Sequence, residues 1–210
     1  MSIFDAARGF RPSALSRRVR HILLLSLCIL PCSASAHPHV WIDYGVELEM
    51  HGTQVDAVQE KWVFEQGFPV SLVIDLTHIP KAGPLAEVDV AAFKEQAFTS
   101  LKGADYFTHL FVDGQAVEFD EPQHFAVAVD NGKIVYTFLL PLKKPLDAAS
   151  KSLEVGIWDD SFFVDYEPLN KPAVRFGATS AASCKSESFQ DHDHAIFGGA
   201  MFPLASRVSC

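Results

Sequence analysis

Asn131-Gly132 stands between two runs of alternating apolar and polar residues, 125–129 and 134–140. The dipeptide supplies two adjacent positions that tolerate positive φ, the backbone that a two-residue hairpin demands. The chain must reverse there, and a β-hairpin satisfies both signals. Asp113-Gly114 repeats the arrangement between 107–112 and 115–119, and His51-Gly52 parts 40–50 from 55–64. Two more β-rich runs, 153–158 and 162–166, flank Asp159-Asp160-Ser161. One stretch breaks the pattern: over 88–102, Phe93, Ala97, Phe98 and Leu101 recur at helical spacing and Gly103 follows as a stop signal. Phe68–Leu76 also has helix-compatible spacing, but Pro69 near its start leaves room for a short helix at most. The expected fold is mainly β, an antiparallel β-sandwich-like domain with one helical insertion at about 88–102.

The N-terminus is of a different kind. Arg17, Arg18, Arg20 and His21 precede the apolar run Ile22–Leu30, and Ala34-Ser35-Ala36 gives the small-x-small pattern of a signal-peptidase site. The apolar run is too short to span a bilayer as a mature helix. Pro31 takes the place of the small residue that lipidation of Cys32 would need. The expectation is a leader over 1–36, cleaved on export to the periplasm, then a β domain over 37–172 and a C-terminal tail over 173–210. Removing five arginines and Asp5 from 17 basic and 26 acidic residues leaves 12 against 25, a net charge near −13. Nucleic acid and anionic membrane are poor partners for such a surface. Cys184 and Cys210 are the cysteines that remain, and in an oxidising compartment they are expected to pair and tie down the tail.

His37-Pro38-His39 carries the sharpest chemistry. Cleavage after Ala36 would free an α-amine on His37, and that amine can close a six-membered chelate with its own Nδ1. The amine titrates near pH 8, so it can ligate close to neutrality. Pro38 has no N–H to lose, which excludes the square-planar mode built on a deprotonated second amide. Amine and imidazole nitrogen suit Zn(II), Cu(II) and Ni(II) rather than Mg or Ca. His192 and His194, spaced i, i+2 and flanked by Asp191 and Asp193, form a second candidate pair. Asp159 is a candidate carboxylate ligand, whereas Asp160 reads as part of a charged turn. The nucleophile elbow, zincin helix, phosphate loop and dinucleotide fingerprint are missing, so an enzyme is not the expectation.

The heptad His37-Pro38-His39-Val40-Trp41-Ile42-Asp43 resembles the mature N-terminus of the DUF1007 family. Lys61-Trp62-Val63-Phe64-Glu65 resembles that family's second strand, and Leu153–Tyr166 its late strand, with Trp158-Asp159-Asp160 where the family carries Tyr-Asp-Pro. The resemblance implies a periplasmic component of a metal transport system, associated with nickel/cobalt-type membrane transporters and with zinc supply. The expected function is therefore a non-enzymatic periplasmic accessory that binds zinc and presents it to an inner-membrane transporter. Its expected ligands are His37 and His39, then Asp159, with His192 and His194 as outer candidates. Cu(II) or Ni(II) are the alternative ions. The rival functions are a copper monooxygenase, which needs a further imidazole such as His109 or His124, and a metal-free interaction domain.

Overall fold

Val40–His51 alternates strictly between buried and outward positions, and it is strand β1. Val40, Ile42, Tyr44, Val46, Leu48 and Met50 face inward, so one register choice buries six large side chains. Each such burial contributes about 1.5–3 kcal/mol. The computed structural model describes residues 38–66, 68, 73, 76–149 and 151–210. The expected leader, His37 and most of 67–75, including the expected short helix, lie outside the described residues. Among the described residues, no helix is long and apolar enough to cross a membrane.

The strands follow in order: β2 (Gln54–Gln66), β3 (Gly83–Pro84), β4 (Thr108–Val112), β5 (Gln115–Ala116), β6 (Gln123–Asp130), β7 (Lys133–Asp147), β8 (Leu153–Ile157), β9 (Val164–Pro168), β10 (Val174–Phe176), β11 (Lys185–Gln190) and β12 (Leu204–Ser209). A seven-stranded sheet runs β10-β1-β2-β7-β6-β3, with β9 also on β1, and a five-stranded sheet runs β11-β12-β8-β4-β5. One cluster of buried side chains joins them, with Leu48, Trp62 and Phe138 from the first and Leu110, Leu153 and Val155 from the second. The sandwich-like, mainly β architecture is as expected. Two of the three dipeptide turns read from the sequence have positive φ at both residues, Asp113 (50°) with Gly114 (75°) and Asn131 (49°) with Gly132 (79°), whereas at His51-Gly52 only Gly52 (63°) does.

Three features differ from the sequence reading. The first sheet is mixed: β9 and β10 both run parallel to β1, pairing with its first and second halves in turn. The helical insertion is a ten-residue α-helix, α1 (Glu87–Gln96), that breaks at Ala97 and continues as 3-10 turns over Phe98–Phe107. The break lets Phe98 lie 1% exposed and stacked between Tyr106 and Phe125. Third, residues 173–210 are built into the body instead of trailing from it. They supply β10, β11 and β12 and bury Val174, Ile196, Ala205 and Val208.

The Cys184–Cys210 disulfide is present and closes the β11–β12 hairpin beside the Lys185–Ser209 pair. Reducing it releases a 26-residue separation in the unfolded chain, for which loop entropy gives about 3.5 kcal/mol of lost stability. Denaturant titration with and without reductant checks this, and coincident midpoints would refute it.

Candidate functional site

His39 precedes the first residue of β1 and is exposed. Its backbone N–H and that of Val40 both donate to the Phe163 carbonyl, at 2.9 and 3.2 Å. Its imidazole lies against the Phe163 ring, centroids 4.7 Å apart. The start of β1 is thus fixed from outside, by the turn that leads into β9.

Asp159 builds that turn. Its carboxylate accepts the backbone N–H groups of Ser161 (2.9 Å), Phe163 (3.0 Å) and Val164 (3.1 Å), and the Ser161 hydroxyl as well. The residue is 7% exposed. Phe162 is held at φ 55°, a left-handed backbone that a bulky side chain seldom adopts unless its surroundings impose it. Asp159, expected as a ligand, has both carboxylate oxygens engaged by its own loop, so the structure gives it a positioning role: it shapes the loop whose Phe163 carbonyl anchors His39. Asp160 sits in the turn, as expected, and accepts a 3.2 Å hydrogen bond from the Trp158 indole.

The C-terminal pair does not form the expected two-imidazole face. Asp191, 2% exposed, accepts the backbone N–H groups of Asp193 (2.9 Å) and His194 (3.1 Å) and the His194 Nδ1–H (2.8 Å). This side-chain capture bends the segment, where an i, i+2 face needs extended backbone. The His192 ring packs on Phe202 (4.4 Å), whereas His194 stacks on Phe111 (4.2 Å). His109 donates from Nε2 to the Trp158 carbonyl at 3.0 Å and stacks on the indole at 3.9 Å. Burial pushes its imidazole below the usual value. Gly156 makes room for that stack, since a Cβ there would come within 2.3 Å of the Trp158 ring. His109 is therefore committed to β8 and Trp158, and His124 lies on β6, at the other side of the first sheet from β9. Among the described residues, no three of His, Cys, Asp and Glu come together as a metal-holding group.

Carboxylates that the sequence reading passed over lie along β1. The parallel register sets Asp165 beside Trp41 and Glu167 beside Asp43. Alternation puts Trp41 and Asp43 on one outward face of β1, and Asp165, beside Trp41, follows two residues after Phe163, whose ring packs on His39. Burial, and then the nearby Glu65 charge, hold Asp43 above the ordinary carboxyl range, and burial does the same for Asp165. A reader of the sequence could not see this grouping, because it depends on the pairing of β9 with β1.

Comparison with known proteins bears on the whole arrangement. The profile of a family described as "Protein of unknown function (DUF1007)" matches residues 22–197. A protein of Spirochaeta aurantia, described as an uncharacterized 15.5 kDa protein in the trpE 3′ region, is 32% identical over 83 residues. That match takes in 40% of this chain and spans 59% of the length of the relative.

Proposed function

Since the chain belongs to the DUF1007 family, we propose that it is an exported, periplasmic protein that binds a divalent transition ion, zinc first, as cargo for a membrane transporter of the nickel/cobalt type. The observation that carries the reading is the double backbone anchor of His39 on the Phe163 carbonyl, directly after His37-Pro38 and the Ala34-Ser35-Ala36 motif. A fixed His39 lowers the ordering cost of binding an ion. His37 would add its amine and imidazole, and Asp165, two residues after the Phe163 that anchors His39, would add a carboxylate. That donor set is nitrogen-rich with one hard oxygen, which fits Zn(II) and disfavours Ca or Mg.

Such a site competes with protons. Its imidazole and amine ligands must shed their protons to bind the ion, so zinc affinity is expected to fall steeply from about pH 7.5 to 5.5. A form keeping one extra residue before His37 is expected to bind zinc at least about tenfold more weakly, roughly 1.4 kcal/mol. Titration calorimetry of both forms at several pH values tests this. Equal affinities would remove the amine from the site, and a flat pH profile would sink the histidine terminus altogether. Metal content of protein taken from periplasm separates the rivals: stoichiometric copper favours an oxidase, and no metal favours an interaction domain.

A further inference from the structure

β9 pairs with β1 alone, and its other side differs from an ordinary sheet edge. Two bonds bracket its parallel ladder, Val40 N–H to the Phe163 carbonyl and Leu169 N–H to the Tyr44 carbonyl. In such a ladder only alternate residues of a strand bond a given neighbour. Residues 163, 165, 167 and 169 therefore turn their backbone groups to β1, and Val164, Tyr166 and Pro168 turn theirs away. The Val164 N–H is taken by Asp159 (3.1 Å) and the Tyr166 N–H by the Asp165 carboxyl, and Pro168 has none to offer. The Val164 and Tyr166 carbonyls receive no backbone donor among the described residues. The edge presents acceptors only, so another strand cannot pair with it.

A groove of about 160 Å³ runs beside this edge, closed across from it by Met201, Phe202 and Leu204, with Phe162 also in its lining. Those three are large apolar side chains left 37–40% exposed. Backbone bonds hold the segment that carries them, from Asp191 N–H to the Pro203 carbonyl (2.9 Å) and from Phe197 N–H to the Asp160 carbonyl (2.8 Å). Asp165 and Glu167 line the groove too, and neither 157–170 nor 187–206 contains a Lys or Arg.

We propose that this groove binds a guanidinium group on a short alkyl chain, as an arginine side chain or a free alkylguanidine carries. A guanidinium spreads five N–H donors in one plane and stacks its face on aromatic rings. It can therefore serve the edge carbonyls and Glu167 while lying on Phe162 or Phe202. A quaternary ammonium would satisfy the charge and leave the carbonyls unpaired. An apolar guest would strip water from carbonyls and carboxylates and replace none of it. The volume suits the size, since about 150 Å³ holds a benzene ring. The groove shares Asp165 with the proposed zinc site, so the test is made without metal and at residues that site does not use.

Ethylguanidinium, tetramethylammonium and an arginine blocked at both ends are titrated, in chelator, into isotope-labelled protein taken from periplasm, with backbone amide shifts followed by NMR. Ethylguanidinium is expected to saturate with its largest shifts over 162–167 and 201–204, at least about tenfold more tightly than tetramethylammonium. Glu167→Gln and Phe202→Ala should each weaken it by about threefold or more. Both side chains are exposed, so both variants should melt with the parent. Glu167→Gln should leave zinc affinity unchanged, which keeps failure of the groove distinct from failure of the zinc reading. Blocked arginine binding as tightly as ethylguanidinium assigns the groove to an arginine of a partner protein, and much weaker binding assigns it to a free alkylguanidine. The proposal is overturned if ethylguanidinium does not saturate, if tetramethylammonium binds as tightly, or if both variants keep the parent affinity.

Discussion

The free energy of unfolding is expected to lose about 5 kcal/mol from Glu60 alone as the pH rises from 4.5 to about 8, at about 1.4 kcal/mol per pH unit, and Glu60→Gln is expected to remove that loss. Glu60 is 0% exposed, and burial pushes its carboxyl up to about 8, against the opposing pull of hydrogen bonds from Thr108 and Trp62. Its carboxyl accepts the Trp62 indole N–H at 2.6 Å and is paired with the Thr108 hydroxyl. Above its ordinary pKa of 4.5 the unfolded chain releases this proton while the folded chain keeps it. The folded state then binds more protons, so stability falls with rising pH until Glu60 ionises in the folded state as well. Glutamine keeps an acceptor for Trp62 and offers an N–H to Thr108 without a titrating proton. His109 contributes with the opposite sign, because its buried neutral ring loses stability as the pH falls through 6.5. The difference between parent and variant isolates Glu60. Denaturant titrations from pH 5 to 8.5 that give a flat difference would refute the assignment.

Asp159→Ala is the second large effect, a destabilisation of about 4 kcal/mol. Three backbone N–H groups lose their acceptor, each worth about 1–3 kcal/mol when left unpaired, and partial hydration of the exposed turn lowers the sum. The strained Phe162 also loses what holds it. Asp159→Asn should cost less, since one oxygen still accepts. Zinc affinity should weaken in step with the loosening of the turn, because His39 hangs from Phe163. Asp165→Asn should weaken zinc binding with little change in stability. The roles would be reversed if Asp159→Asn kept full stability and lost zinc, which would make its carboxylate a ligand.

The parts of this fold that were legible in the sequence are the local ones. Asp113-Gly114 and Asn131-Gly132 announce their hairpins because the turn chemistry sits within four residues of both strands. The parallel partners of β1 left no such mark. Val174–Phe176 is three residues long and lies in a stretch whose Ser and Ala content reads as a tail. The spacing of Phe93, Ala97, Phe98 and Leu101 fits a continuous helix, and only the packing of Phe98 against Tyr106 and Phe125 decides that it breaks. At the site, His39 was legible from its place after the small-x-small motif. Asp159 was read as a candidate ligand, and its part in shaping the turn was not read. Asp-x-Ser at 159–161 and Asp-x-Asp at 191–193 are the sequence marks of an aspartate that turns the backbone onto itself, and both aspartates do that here.

The two parallel strands on one edge of β1 also set an order of assembly. Val40 pairs with Val164, 124 residues further along, and Val46 with Val174. The first strand to leave the ribosome therefore cannot complete its edge until almost the whole chain has followed it. Contacts of such long sequence separation are slow to form. If the chain is threaded N-terminus first through a membrane, β1 reaches the far side well before its last partners do. A body that closes only when its end arrives stays open while it is still in transit, and it leaves the first residues of β1 within reach of a processing enzyme before the sheet locks around them.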